Sequence, residues 1–257
     1  MSRDVVKTEN GTLFQLTNNW REENQAGGIF TVDSVEMPKN KIICLVGCNG
    51  SGKTTVIEKM TQFLKYAGAK DISETKEFNP MSGFMSSLRK EEKKPNAYFM
   101  SFDKGARFVS TDKDGTNSWL YKVDMDKIFG TMSSNGESVV RRLNGALKAI
   151  KICIDKCLKE QVPLWIFIDD VDAGTSIDVI CELKENLVYV NEHLNKHNLE
   201  HYIIVTSNSF EFARDLDCLY VRDMSPIKFT QYEEFKEFVL KTRKEKEKRD
   251  GTTETNN

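Results

Sequence analysis

The sequence has no Cys-x-x-Cys pair, no apolar stretch near the roughly 20 residues that a membrane span requires, and no apolar segment behind its polar start, MSRDVVKTEN. Charge of either sign is also not in excess: 37 Lys and Arg face 39 Asp and Glu, a formal net charge of −2. Each absence excludes something. Balanced charge gives no global field towards nucleic acid or an anionic membrane, so any such contact has to be local. With no membrane segment or leader to read, the chain is expected to be cytoplasmic and not inserted in a membrane. The six cysteines, Cys44, Cys48, Cys153, Cys157, Cys181 and Cys218, then fit a reduced compartment. The three histidines, His193, His197 and His201, are spaced by four. A helix break near Asn198 takes His201 off the shared face, and a solvated helix surface accounts for the others better than a metal site does. There is no internal repeat.

What is present is an alternation of strand-like and helix-like segments. Apolar runs at Ile42–Val46, Ala97–Phe102, Leu164–Ile168, Tyr202–Val205 and Cys218–Val221 read as strands, the third and fourth continuous enough to be buried on both faces. Helical periodicity marks Thr54–Tyr66, Val139–Leu158 and Ser176–Leu194. This order implies an α/β fold with a mostly parallel central sheet covered on both sides. The pieces Thr12–Leu16 and Ile29–Val35 suit a small antiparallel β subdomain leading into the core. At 257 residues and 39% apolar content, a single domain over 1–240 is expected, followed by a charged extension and tail over 241–257.

GCNGSGKTT, Gly47–Thr55, satisfies G-x-x-x-x-G-K-[ST] between a buried strand and an amphipathic helix, the context that a phosphate-binding loop requires. Gly47, Asn49, Gly50, Ser51, Gly52 and Thr55 would form a main-chain cradle for phosphates. Lys53 would place a cation by the β- and γ-phosphates, Thr54 would offer its hydroxyl to Mg²⁺, and the helix N-terminus would add its dipole. Downstream, LWIFIDD, Leu164–Asp170, is a buried strand ending in two carboxylates. Asp169 would hold Mg²⁺ and Asp170 would stand beside an attacking water. Helix capping is the other use for these acids, although Asp172 and Thr175 are available for it.

Between these motifs lies SSNGE, Ser133–Glu137, ahead of a long amphipathic helix. In this order the motifs resemble those of ABC-type P-loop ATPases, whose signature reads S-x-G-E in the DNA-repair and chromosome-maintenance branch. Ser134, Gly136 and Glu137 match it, and Asn135 replaces a glycine; Ser134 and Glu137 also spell a capping box. The resemblance covers about residues 12 to 225 and implies an ATP site completed in trans by the signature of a second protomer, hence a head-to-tail homodimer. It also makes DAGTSID, Asp172–Asp178, similar to the D-loop, with Asp178 reaching across the dimer, and places Trp20 where the family often stacks an aromatic on adenine. A core or lid tryptophan is the alternative for Trp20.

Three departures bear on turnover. No glutamine lies between Phe63 and Glu160, so the family's Q-loop residue is absent and Ser101 or Asp103 stands in its place. The usual catalytic glutamate is Asp170. The switch histidine is Ser207, with Asn208 offering an amide beside it. The expectation is a slow ATPase needing ATP and Mg²⁺, with a short helical lobe, regulating a separate effector or nucleic acid in the style of DNA repair or phage defence. The ATP-binding subunit of a membrane transporter and a non-hydrolysing ATP sensor are the competing expectations. Nucleic-acid contact would fall to the mixed-sign runs Arg89–Lys94 and Lys241–Arg249, which equally suit exposed helix faces.

Overall fold

The computed structural model describes residues 8–15, 30–32, 34–58, 60, 96–101, 105–111, 117–118, 135–249 and 251. Its centre is an eight-stranded sheet in the order β10-β9-β3-β8-β7-β4-β5-β6. Five of these strands are parallel: β3 (Lys41–Val46), β4 (Asn96–Ser101), β7 (Leu164–Asp169), β8 (His201–Thr206) and β9 (Asp217–Tyr220). β5 (Gly105–Thr111), β6 (Asn117–Ser118) and β10 (Pro226–Ile227) add antiparallel edges. A separate antiparallel pair, β1 (Gly11–Gln15) and β2 (Ser34–Pro38), precedes the sheet. The helices are α1 (53–58), α2 (Asn135–Glu160), α3 (Ile177–Lys196), α4 (Phe210–Ala213) and α5 (Tyr232–Arg249).

The central strands read as uninterrupted apolar runs because both of their faces are covered. Ile42, Cys44, Val46, Ile166, Ile168, Ile203 and Val205 point into a core shared with α2, α3 and α5. The alternate residues Ile43, Leu45, Trp165, Phe167, Tyr202 and Ile204 enter a second core with Val56, Ile57 and Met60 and with Phe14 and Met37 of the β1–β2 pair. Period-two alternation of side chains divides one strand between two apolar layers. Trp165 stacks on Tyr202 at 3.7 Å between ring centroids, and Phe14 meets Trp165 edge-on at 5.4 Å. The Tyr202 hydroxyl accepts from Thr12 and donates to Glu200 at the rim of this layer.

Between β4 and α2 the described residues hold β5 and β6; residues 102–104, 112–116 and 119–134, and with them the expected short helical lobe, lie outside the described residues. The expected boundary at 240/241 falls inside α5, which runs through it unbroken and buries Thr242. No helix among the described residues is long and apolar enough to cross a membrane.

His201 opens β8 fully buried, with Nδ1 2.8 Å from the Leu199 carbonyl and Nε2 2.9 Å from the Asn191 side-chain amide, whereas His193 and His197 stay on α3. Burial is the main cause lowering the His201 pKa. The unfolded chain therefore takes up a proton near pH 6.5, while the folded chain does so only at lower pH. Stability is fully present above about pH 6.5 and declines as pH falls below it. Urea unfolding between about pH 7 and pH 5 is expected to show that decline, with a shallower slope in His201→Gln.

Candidate functional site

The site lies at the carboxyl ends of β3, β7 and β8, where chain direction brings three loops together. After β3, the backbone turns through Gly47 at φ 152°, Gly50 at φ 72° and Gly52 at φ 103°, values that side chains with a Cβ rarely adopt. Space also selects glycine: a Cβ on Gly47 would stand 2.6 Å from Ser51 Oγ and 3.2 Å from Val221 Cγ1. The loop then enters α1, whose first-turn N–H groups have no partner within the helix and point back towards the loop.

Lys53 is 95% hidden from solvent, being 5% exposed. Its ammonium donates to the carbonyls of Gly47 at 3.0 Å and Cys48 at 3.2 Å and to Asn208 Oδ1 at 2.7 Å. Burial lowers its pKa, and the nearby Asp170 and Asp172 carboxylates oppose that shift. A buried cation held by neutral carbonyl groups is a site that an anion would neutralise, so a phosphate fits.

The second half of the site is a relay through Thr206. Thr54 Oγ1 donates to Asp169 Oδ1 at 3.2 Å. Thr206 Oγ1 donates to the same oxygen at 2.6 Å and accepts the Asp170 N–H at 2.8 Å. Thr206 thereby fixes the Asp169 carboxylate and the Asp170 backbone together. Asp170 has φ 54°, a left-handed conformation in which its N–H bonds to Thr206 and its carbonyl accepts from Ala173 at 2.9 Å. The Thr54 hydroxyl and the Asp169 carboxylate are hard oxygen donors side by side. They suit Mg²⁺, which keeps several waters and takes one or two carboxylates in addition to phosphate oxygens. The described residues contain no cluster of three or more His, Cys, Asp or Glu that could hold a metal, and this ion does not demand one.

Ser207 and Asn208 divide the place expected for a switch residue. Ser207 is fully buried; its hydroxyl donates to Asp172 Oδ1 at 3.1 Å and accepts the Ser209 N–H at 2.9 Å. Asp172 Oδ1 also accepts the Asn208 N–H at 2.9 Å, which aims the Asn208 side chain at Lys53. The group touching the loop lysine is thus Asn208, and Ser207 braces its turn.

Asp178 lies exposed in the first turn of α3, where the Ser176 hydroxyl and then the N–H groups of Asp178 and Val179 hold its carboxyl below the usual range. Asn135, Gly136 and Glu137 form the first turn of α2, whose 26 residues place the signature-like segment at a helix N-terminus. Trp20, Ser134 and Asp103 lie outside the described residues, as does the run Arg89–Lys94. Ser101 is fully buried at the end of β4.

Thr206 is the residue that sequence reasoning passed over. No local pattern marks it: the parallel register of β7 and β8, in which Ile168 faces Val205, sets Thr206 beside Asp169 at the next step.

These elements define a P-loop α/β fold: a glycine loop between a central strand and a helix, and an acidic strand end two places along the sheet. No family model and no curated protein matches the sequence. Among solved structures, the chain is similar to CbiO1 from Clostridium perfringens, part of the ABC transporter complex CbiONQ. Identity is 14% and the TM-score 0.36, over 77% of this chain and 78% of that one.

Proposed function

We propose that the chain is an ABC-type ATPase that binds Mg-ATP, closes into a head-to-tail nucleotide-sandwich dimer and hydrolyses ATP slowly to regulate a separate effector or nucleic acid, in the manner of DNA-repair or phage-defence ATPases. The observation that supports it best is the convergence of Lys53, Thr54, Asp169 and Thr206 at the ends of three adjacent strands.

In this reading Lys53 exchanges its carbonyl partners and Asn208 for the β- and γ-phosphate oxygens, and the main chain of 47–54 wraps the phosphates. Thr54 and Asp169 would hold Mg²⁺, which would neutralise charge developing on the phosphates. Asp170 accepts the proton of the attacking water. Its carboxylate is one methylene shorter than a glutamate, and Ser207 is turned towards Asp172. Losing one well-placed polar group typically slows such a step on the order of 10²- to 10³-fold, hence slow turnover. Ser134, Gly136 and Glu137 would complete the site from a second protomer, with Asp178 contacting the partner and Trp20 stacking on the adenine.

Equilibrium sedimentation of Asp170→Asn with Mg-ATP is expected to show a dimer that disperses without nucleotide; a monomer under both conditions rules out the sandwich. Single-turnover assays with radiolabelled ATP distinguish slow hydrolysis from an ATP sensor that never turns over.

A further inference from the structure

The outer side of the phosphate loop is covered by α5. Phe235, Phe238 and Phe229 anchor the helix, with ring centroids 5.0 Å apart for Phe229–Phe235 and 5.2 Å for Phe229–Phe238. Towards its C-terminal end, polar groups meet the loop. Thr242 is 2% exposed; its hydroxyl donates to the Val239 carbonyl at 2.9 Å and accepts the Cys48 N–H at 3.2 Å. One turn on, the Lys246 ammonium donates to the Asn49 carbonyl at 3.1 Å. It also covers Gly50 so closely that a Cβ there would lie 2.6 Å from Lys246 Nζ. Between them Glu245 accepts from the Tyr220 hydroxyl at 3.1 Å and from Arg222 at 3.3 Å, tying the helix to the end of β9. Loop residues 48 and 49 are thus hydrogen-bonded, and residue 50 is covered, from outside by one helix.

We propose that α5 is a latch on the phosphate loop, with Thr242 and Lys246 as positioning residues, so that nucleotide occupancy and docking of the helix's C-terminal half stabilise each other. The coupling rests on the nucleotide reading above. The Cys48 N–H and the Asn49 C=O are main-chain groups of the cradle itself, so the side chains that fix them fix the directions of the neighbouring N–H groups. A ligand that binds the ordered loop better than the loosened one must, by linkage, tighten the helix by the same factor. A helix resting passively on the domain would not respond to the ligand.

The test uses the full chain, ATP with Mg²⁺, and four variants: Thr242→Val, Thr242→Ser, Lys246→Met and Lys246→Arg. Thr242→Val keeps the shape and deletes the acceptor for a buried N–H, so ATP affinity is expected to fall about tenfold, with Lys246→Met weaker by about threefold. Thr242→Ser and Lys246→Arg, which retain the hydroxyl and a donor, should stay within about twofold of the wild type. In hydrogen exchange without nucleotide, residues 47–52 should exchange faster in Thr242→Val and Lys246→Met. In the wild type, ATP should slow exchange across 239–249. Lys246 lies at the surface, so Lys246→Met keeps the question open to measurement if Thr242→Val fails to fold. Unchanged loop exchange in Lys246→Met, or ATP binding that leaves 239–249 unaltered, overturns the latch while the ATP site stands. A wild type that binds no ATP overturns the nucleotide reading and, with it, the coupling.

Discussion

Lys53→Met is expected to abolish measurable ATP binding, a loss of at least about 100-fold, with the fold intact. The ammonium is the one cation found inside the glycine loop among the described residues, and it is held there by two backbone carbonyls and Asn208. Charge-assisted hydrogen bonds contribute about 1.5–3 kcal/mol each, and a β,γ-phosphate bridge would receive at least two from Lys53. Methionine is similar in length and apolar, and Lys53 already bears a desolvation cost that lowers its pKa. Its removal relieves that cost while leaving carbonyls unsatisfied, opposing effects of about 1–3 kcal/mol each. Titration with a fluorescent ATP analogue, run beside thermal unfolding, separates the two quantities. Retained affinity in a folded Lys53→Met protein would place the phosphates elsewhere. Collapse of the fold would mean that Lys53 is chiefly structural.

Asp169→Asn is expected to lower Mg²⁺-dependent ATP turnover on the order of 10²- to 10³-fold while leaving metal-free nucleotide binding nearly intact. The amide is isosteric and still accepts from Thr54 and Thr206, so the packing at the end of β7 is retained and the loss is one of charge at the metal position. Thr206→Val should produce a smaller version of the same defect, about tenfold, by freeing the carboxylate and removing the acceptor of the Asp170 N–H. The discriminating measurement is turnover against Mg²⁺ concentration. Asp169→Asn should need more metal and never recover, and Thr206→Val should recover in part. Identical metal dependence in all three proteins would sink the assignment of Asp169 as metal ligand.

Much of the sheet was legible because parallel strands buried on both faces must carry unbroken apolar runs, and β3, β7 and β8 do at 42–46, 164–168 and 202–205, with polar residues only at their ends. The start of the helix after the loop, at 53–58, and the helices α2 and α3 were legible from 3.6-residue periodicity; the rest of the span expected up to Tyr66 falls largely outside the described residues. The edge strands were not legible. β5 reads GARFVST and β6 is only two residues long, and these outer elements draw their order from antiparallel pairing, β5 to β4 and β6 to β5, more than from their own pattern. α5 was hidden for a different reason. YEEFKEFVLKTRKEKEKR is dominated by charge, so it looks like a solvated extension until Thr242 is seen beneath the loop.

At the site the division is similar. Sequence alone determined the glycine loop with Lys53 and Thr54, because main-chain approach to a phosphate admits few spellings, and the acidic strand end at Asp169 and Asp170, because carboxylates closing a buried strand need a reason. Only tertiary structure decided which neighbours act on them. Thr206 sits beside Asp169 because two parallel strands share a register, Asn208 rather than Ser207 reaches Lys53 because Asp172 fixes the turn between them, and α5 closes on residues 48–50 across nearly two hundred residues of chain. Spacing along a chain specifies groups that act from one loop. Groups that meet from separate strands and helices are specified by the packing of the sheet, which sums many weak apolar contacts that no local pattern records.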